Sequence, residues 1–285
     1  MNSVFLAMAA AVLWWTPALG WWGDGHGLLT RAAFQALPED VPAFFHHGGE
    51  VAANVVFDAD LFKNRGVVRA RDAERPEHYF DVELLQGRQP PSTRYAFLQM
   101  CAAEGLDPTA VGLAPYAVAE WTERLMVAFA EHRRWPHNAA IQSKCLVYAG
   151  FAAHYAQDIC QPLHVTIHYD GRVGADGESP HSGIHERVDA LVERMEFEPE
   201  NLARGLEIEA ADSLMAAILE TVAQSRAHID LVYRLEGELV TAQTPQVRDF
   251  AWERARAAAG FTAVLFLTAW EKSAEIKLPS WLDRE

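Results

Sequence analysis

Two histidine–aspartate pairs in this sequence have the spacing of one helical turn. His154 and Asp158 are four residues apart in the stretch HYAQDICQPLH, and His185 and Asp189 repeat that interval further along the chain. Residues four apart lie on the same face of a helix, and His164 falls between the two pairs. Neutral imidazoles and carboxylates at close range are ligands that zinc takes. These residues therefore predict a metal site.

The first pair belongs to a segment that is apolar on nearly all sides. Residues 138–159 have this character, which predicts a central, buried helix closed by Pro162. A buried carboxylate such as that of Asp158 costs on the order of several kcal/mol unless a cation or hydrogen bonds compensate it. A lone pair of this spacing is usually a surface or capping pair. Two pairs, one of them in an apolar helix, favour a metal site instead.

Helical periodicity dominates the rest of the chain, whereas strand signals are scarce. An amphipathic helix is predicted over Tyr116–Arg133, after Pro115. Further helices are predicted at 27–37, 184–194, 208–235 (as two helices) and 246–274, and the segments 48–80 and 164–182 are expected to be irregular and functional. No linker or repeat divides the chain. The predicted fold is therefore all-α, a single-domain multi-helix bundle around a buried metal site.

Residues 1–20 have the features of a signal peptide. They carry no charged side chain, contain an apolar run and end in Ala18-Leu19-Gly20, whose small residues suit signal peptidase. The alternative is a membrane anchor, although the run is short of the ~20 residues that spanning needs. We predict a domain over 21–285 that is secreted or periplasmic, with no transmembrane segment after signal removal.

The net charge of −15 argues against a stable nucleic-acid partner held by a basic face. It does not exclude a phosphate-processing site, because bound divalent cations dominate the local field. Of the three cysteines, Cys145 and Cys160 are placed on one helix about 22 Å apart, too far for a bridge. At most one disulfide is possible, and the pairing of Cys101 is left open.

Four pieces of the sequence together resemble a known superfamily. They are HYAQDICQPLH, His185-x3-Asp189, WWGDGH at 21–26 and FDADLFKN at 57–64. The superfamily joins bacterial zinc-dependent phospholipase C to the fungal and plant single-strand-specific nucleases. The resemblance extends over nearly the whole predicted mature chain. It implies an all-α fold around three clustered zinc ions.

The resemblance also implies which residues bind the ions. The implied ligands are Asp60, His78, His154 and Asp158 for one zinc, His164, His185 and Asp189 for the second, and the terminal Trp21, His26 and a bridging Asp158 for the third. Asp58 remains an alternative to Asp60, and Trp22 an alternative to Trp21. His181, one turn before His185, is a competing ligand.

In such a site the zinc ions would supply hydroxide at neutral pH to attack phosphorus. The resemblance implies that Asp60 orients the nucleophile and that Lys63 stabilises developing charge. The alternative for Lys63 is that it is a solvated surface residue without a catalytic role. Tyr79 and Asp81 are expected to bind substrate, by stacking on a base and by accepting hydrogen bonds from a base edge. The alternative for Tyr79 is a half-buried packing residue.

The sequence favours a zinc-dependent hydrolase of phosphoric diesters that is closer to the single-strand nucleases. One feature departs from that branch, because HYDGRVGADGESPHSG at 168–183 stands where the nucleases usually carry Gly-Gly-Asn. The alternatives are a phospholipase C-type hydrolase and a catalytically silent, zinc-stabilised binding protein. The expected substrate is accordingly single-stranded nucleic acid or phospholipid. The oligomeric state is left open.

Overall fold

A computed structural model describes residue 21, residues 23–175 and residues 177–284. The described residues form sixteen α-helices and four short 3-10 helices, with no β-strand among them. The predicted all-α, single-domain fold is therefore confirmed. The predicted signal peptide at 1–20 and the alternative mature terminus Trp22 lie outside the described residues.

The α-helices, numbered in chain order, are α1 (Gly23–Gln35), α2 (Ala43–His46), α3 (Gly49–Val55), α4 (Asp58–Phe62), α5 (Val68–Glu74), α6 (Arg94–Glu104), α7 (Pro108–Val111), α8 (Ala114–Arg134), α9 (Ala139–Asp158), α10 (Ile184–Asp189), α11 (Leu191–Arg194), α12 (Pro199–Ala203), α13 (Leu214–Arg226), α14 (Ile229–Arg234), α15 (Glu236–Leu239) and α16 (Pro245–Lys272). The 3-10 helices are Arg75–His78, Val82–Leu85, Pro162–Val165 and Ser273–Glu275.

Helix α9 is the central element, as predicted for residues 138–159. The Asn138 side chain caps its start by accepting hydrogen bonds from the backbone N–H groups of Ala140 and Ile141. From Ala149 to Asp158 every residue is buried, between α8, α3, α16 and α1. Gly150 permits the close approach of α3, since a Cβ there would lie 2.7 Å from the Cβ of Val55.

The expectation that 48–80 is irregular is wrong, because α3, α4, α5 and the first 3-10 helix occupy most of it. These helices are too short to show a periodic apolar stripe, and buried residues of α3 and α4 stabilise those two helices through contacts with the rest of the protein. The prediction that 164–182 is irregular agrees better with the structure, since no helix occurs among the described residues of 166–182. Three other boundaries differ: the predicted helix at 27–37 begins earlier, at Gly23, 184–194 is split at Ala190, and the helices predicted from residue 208 begin only at Leu214.

The described helices include none that is both long and apolar enough to cross a membrane. Cys101, Cys145 and Cys160 are all buried, with free thiols. Trp21 is fully buried in the apolar cluster formed by α1, α10, α11 and α16. The N-terminal end of α1 is thereby fixed against the body of the protein.

Candidate metal centre

Six separate elements bring histidine and aspartate side chains together at the C-terminal end of α9. The contributing elements are α1, α4, the 3-10 helices at 75–78 and 162–165, α9 itself and α10. Three groups have ligand atoms that all lie within 4.8 Å of one another, namely His26, His154 and Asp158; Asp60, His78 and His154; and His164, His185 and Asp189. Each group offers the donor set of a metal site.

The carboxylate of Asp158 lies between two of these groups. Its Oδ2 atom is 2.9 Å from His78 Nδ1 and 3.3 Å from His154 Nε2, and its Oδ1 atom is 3.6 Å from His26 Nε2. The side chain is fully buried. Burial raises the pKa of this carboxyl, but the neighbouring histidines hold it well below its ordinary value. Asp158 is therefore an anion with each oxygen directed at a different group.

The imidazoles of the first cluster are oriented by protein oxygens behind them. His154 Nδ1–H donates to the Val56 carbonyl oxygen at 2.8 Å, so its Nε2 carries a lone pair. His78 Nδ1 lies 2.9 Å from Asp158 Oδ2, whereas His78 Nε2, although 3.3 Å from a carboxylate oxygen of Glu74, makes no hydrogen bond among the described residues. His154 Nε2 and His78 Nδ1 are 3.0 Å apart. Two bare lone pairs would repel at this distance, so either a proton or a metal cation lies between the two nitrogens.

The second cluster repeats this arrangement. His164 Nδ1–H donates to the His78 carbonyl oxygen at 2.7 Å, and His185 Nδ1–H donates to the Tyr169 carbonyl oxygen at 3.1 Å. The two Nε2 atoms then approach each other to 3.1 Å, and His185 Nε2 lies 3.2 Å from Asp189. Histidines that bind metals almost always donate their other ring N–H to such an oxygen.

A glutamine orients His26, the imidazole nearest the chain start. Gln157 donates its amide N–H to the Thr30 hydroxyl at 3.0 Å, which turns its side-chain oxygen toward His26 Nδ1 at 2.6 Å. The Gln157 backbone carbonyl accepts from the Trp21 indole at 3.1 Å. His26 Nε2 is thereby directed toward Asp158, and Trp21 is held beside it.

Sequence reasoning did not assign a role to either glutamine of HYAQDICQPLH. Gln161 acts on the second cluster as Gln157 acts on His26: its amide donates to Asp189 Oδ1 at 2.7 Å, and its oxygen accepts from the Leu163 backbone N–H. Their position beside the ligand candidates inside the motif was the available signal. Glu74 was also missed, because its approach to His78 depends on the fold of α5.

Several buried polar atoms of the site have no hydrogen-bond partner among the described residues. They include His26 Nε2, His78 Nε2, Asp158 Oδ1 and Asp189 Oδ2. Buried polar atoms are otherwise almost always paired. Burial and the adjacent His154 lower the pKa of His26 to about 4, so this imidazole is neutral and has a lone pair available at neutral pH. The donor set therefore fits divalent cations.

The structure places Asp60, and not Asp58, in a group. Asp60 Oδ1 lies 3.8 Å from His78 Nδ1 and 3.9 Å from His154 Nε2, whereas Asp58 belongs to none of the three groups. The ammonium of Lys63 is 2.5 Å from Asp60 Oδ1, and its side chain is only 7% exposed. Lys63 thus differs from a solvated surface lysine.

Tyr79 and Asp81 continue the chain beyond His78 but belong to none of the groups. Tyr79 is half-buried, and its hydroxyl donates to the Thr109 carbonyl oxygen at 2.6 Å. Asp81 is half-buried as well, and burial raises the pKa of its carboxyl to about 7. His181 is exposed and lies outside the groups.

No protein-family model matches the chain, and a search of curated proteins also finds no match. One solved structure with a similar arrangement is an alpha toxin from Clostridium absonum. It is 11% identical with a TM-score of 0.43, and the alignment covers 92% of this chain and 66% of the toxin chain. The chain therefore spans just under two thirds of the toxin's length. Similarity at this level assigns neither a family nor an activity.

Proposed function

We propose that this protein is a zinc-dependent hydrolase of phosphoric diesters. The observation that carries the proposal is the pair of facing imidazole nitrogens, 3.0 Å apart in one cluster and 3.1 Å apart in the other. Each pair is accompanied by a buried aspartate. Such a geometry is favourable with protons or metal cations between the nitrogens, and the buried carboxylates beside them favour metal cations. Cations held close together can in turn neutralise a phosphoric diester.

The donor atoms select the metal. The three groups offer imidazole nitrogen and carboxylate oxygen without thiolate, which suits zinc better than magnesium or calcium, whose sites are built from oxygen ligands. When bound, clustered zinc ions lower the pKa of water and offset the charge of a phosphoryl group. Asp158, with an oxygen toward each of two groups, is proposed as the bridging ligand.

Two residues at the edge of the first cluster are proposed to act on the substrate. Asp60 faces His78 and His154 on one side and the Lys63 ammonium on the other. Asp60 is proposed to orient an attacking water as a hydrogen-bond acceptor. Lys63, held at 2.5 Å from Asp60, presents a fixed positive charge for a phosphoryl oxygen.

We further propose that the exported chain begins at Trp21. Trp21 is buried, and its indole donates to the residue that also orients His26. An α-amino group at this residue would add a nitrogen ligand next to His26 and Asp158. The proposal includes cleavage of residues 1–20 and a secreted or periplasmic location.

The test of the proposed activity uses purified protein beginning at Trp21 and a small diester, bis(p-nitrophenyl) phosphate. Elemental analysis should find close to three zinc ions per chain. Hydrolysis should stop with a chelator and return when zinc is added back. Metal content near zero after zinc loading, or hydrolysis that is indifferent to the chelator, would refute the proposal. A full zinc complement without hydrolysis of any diester would instead indicate a catalytically silent, zinc-stabilised binding protein.

Among diesters, single-stranded nucleic acid is supported by Tyr79, whose ring is held by the bond to Thr109. Base–aromatic stacking is worth ~1–3 kcal/mol, so Tyr79→Ala should lower kcat/KM on single-stranded DNA or RNA by roughly one to two orders of magnitude. Hydrolysis of bis(p-nitrophenyl) phosphate should fall much less, and zinc content should be unchanged.

Tyr79→Phe is the matched control for this variant. It removes the hydroxyl bonded to Thr109 and keeps the ring, so it should retain most activity on nucleic acid. Equal losses in Tyr79→Ala and Tyr79→Phe would show that the hydroxyl matters and not the stacking. Unchanged nucleic-acid cleavage in Tyr79→Ala, or cleavage of phosphatidylcholine alone by the wild type, would contradict the nuclease substrate and leave phospholipid in its place.

A further inference from the structure

Residues 61–71, LFKNRGVVRAR, have a charge opposite to that of the whole chain. We refer to them as the 61–71 segment. They include no acidic residue and four basic ones, in a chain whose net charge is −15. Lys63 is paired with Asp60, Arg71 is half-buried, and Arg65 and Arg69 are exposed. The segment joins α4 to α5 and includes the first half of α5. A local cationic surface of this kind attracts anionic partners that the rest of the molecule repels.

The same segment exposes large apolar side chains. Leu61 is 64% exposed, Phe62 41%, Val67 48% and Val68 57%. Helix α5 has no buried residue in any of its turns. Short helices are normally stabilised by packing of an apolar face, and α5 instead turns apolar side chains outward. A concentration of exposed apolar residues rimmed by charged ones is typical of an interaction surface.

Both ends of the segment are attached to the candidate metal centre. It begins directly after Asp60, which faces His78 and His154. Beyond it, α5 ends at Glu74, which lies 3.3 Å from His78 Nε2 and accepts a hydrogen bond from the Tyr155 hydroxyl. A partner bound to the segment would therefore lie at the edge of the metal centre.

We propose that the 61–71 segment docks the protein on an anionic phospholipid surface. Aliphatic side chains such as Leu61, Val67 and Val68 are stabilised at the boundary of head groups and acyl chains, whereas they offer no face on which a nucleobase can stack. One face of the partly exposed Phe62 ring is already stacked on the buried ring of Phe151, 5.9 Å between centroids. The basic residues provide attraction to anionic head groups.

This inference rests on the proposed function in one respect, namely that docking brings a diester-cleaving centre to the membrane surface. The binding itself can be measured without hydrolysis. The full chain from Trp21, loaded with zinc, is sedimented with vesicles of equal parts phosphatidylcholine and phosphatidylserine, and with vesicles of phosphatidylcholine alone. Hydrolysis of bis(p-nitrophenyl) phosphate is measured on the same samples.

Two variants change the surface and none of the proposed ligands. The double variant Val67→Ser/Val68→Ser removes the aliphatic contacts and should lower partitioning to the mixed vesicles about tenfold. Arg69→Gln, at an exposed position, should lower it about fivefold, because a basic residue near an anionic surface contributes ~1 kcal/mol. Added salt should weaken wild-type binding, and vesicles of phosphatidylcholine alone should bind less.

The control substitutions are made at exposed residues far from the 61–71 segment in the sequence. Val240 is 61% exposed, like Val68, and Arg234 is exposed, like Arg69. Val240→Ser and Arg234→Gln should bind vesicles as the wild type does. All four variants should keep wild-type hydrolysis of the small diester and wild-type circular dichroism, since each side chain replaced is largely outside the core.

The outcomes separate docking from activity. If the wild type fails to bind the mixed vesicles, or binds them equally after Val67→Ser/Val68→Ser, docking through this segment is overturned even when the diester is hydrolysed. If vesicle binding behaves as expected but no diester is cleaved, the proposed function fails and the docking surface stands. If the wild type binds single-stranded DNA but no vesicles, and Arg69→Gln loses the DNA binding, the 61–71 segment is a nucleic-acid surface instead.

Discussion

Replacement of Asp158 by asparagine is the sharpest perturbation of the centre. The amide keeps the size of the side chain but removes the charge and replaces one oxygen by a donor. One carboxylate oxygen lies 3.6 Å from His26, and the other lies 2.9 Å and 3.3 Å from His78 and His154. In the proposed bridging role of Asp158, two zinc sites therefore lose a ligand at once. Asp158→Asn is expected to lose two zinc ions.

The expected effect on stability follows from linkage. With free zinc at about 100 times each dissociation constant, each bound ion stabilises the folded protein by ~2.7 kcal/mol. Three ions contribute ~8 kcal/mol, and a variant that keeps one retains ~2.7 kcal/mol, a loss of ~5 kcal/mol. For a chain of this size that corresponds to a decrease in Tm of roughly 10–20 °C, at about 2–4 °C per kcal/mol.

Asp189→Asn is the matched control. Asp189 is also fully buried, but its carboxylate lies beside the histidines of one cluster only, His164 and His185. It should lose one ion, ~2.7 kcal/mol of zinc stabilisation and roughly half the shift in Tm. Each protein is compared with itself, in zinc and in excess chelator, so that the intrinsic effect of the substitution cancels.

The assay combines elemental analysis of dialysed protein with thermal unfolding followed by circular dichroism. The bridging role of Asp158 predicts that the zinc-dependent shift in Tm is lost to a larger extent in Asp158→Asn than in Asp189→Asn. If the two variants retain equal zinc and equal shifts, Asp158 serves a single ion and the reasoning is refuted. If Asp158→Asn retains the full complement, Asp158 is not a ligand.

Two further predictions concern the chain start and a glycine next to Tyr79. A methionine retained before Trp21 moves the α-amino group one residue away from His26. This variant should lose one zinc ion and most of its hydrolytic activity. Full zinc content in elemental analysis would exclude the Trp21 terminus as a ligand. Gly112 has φ +93°, and a Cβ there would lie 2.1 Å from the Tyr79 carbonyl oxygen, so Gly112→Ala should lower the free energy of unfolding by about 3 kcal/mol or more in urea titrations. Gly105→Ala is the control, because Gly105 has φ +68° and a Cβ there would meet open space. It should lower the free energy of unfolding by only about 1 kcal/mol. Equal losses in the two variants would contradict the close approach of Gly112 to Tyr79.

The sequence determined the features that depend on residues close together in the chain. Long periodic runs predicted the helices that became α8, α9 and α16, because an apolar stripe repeated over several turns has few alternative structures. The interval between His154 and Asp158 fixed both on one face of α9, since helical geometry alone sets that distance. The short helices between 48 and 80 had no such repeat and were missed.

Only the tertiary structure decided which distant groups face one another. The sequence left Asp58 and Asp60 as alternatives, and the packing of α4 against α9 brings Asp60 toward His78 and His154. The carbonyl oxygen that orients His154 belongs to Val56, far away in the chain. Such contacts depend on how helices pack, and no local spacing encodes them. The exposure of Val67 and Val68 has the same origin, because burial is a property of neighbours supplied by the whole fold.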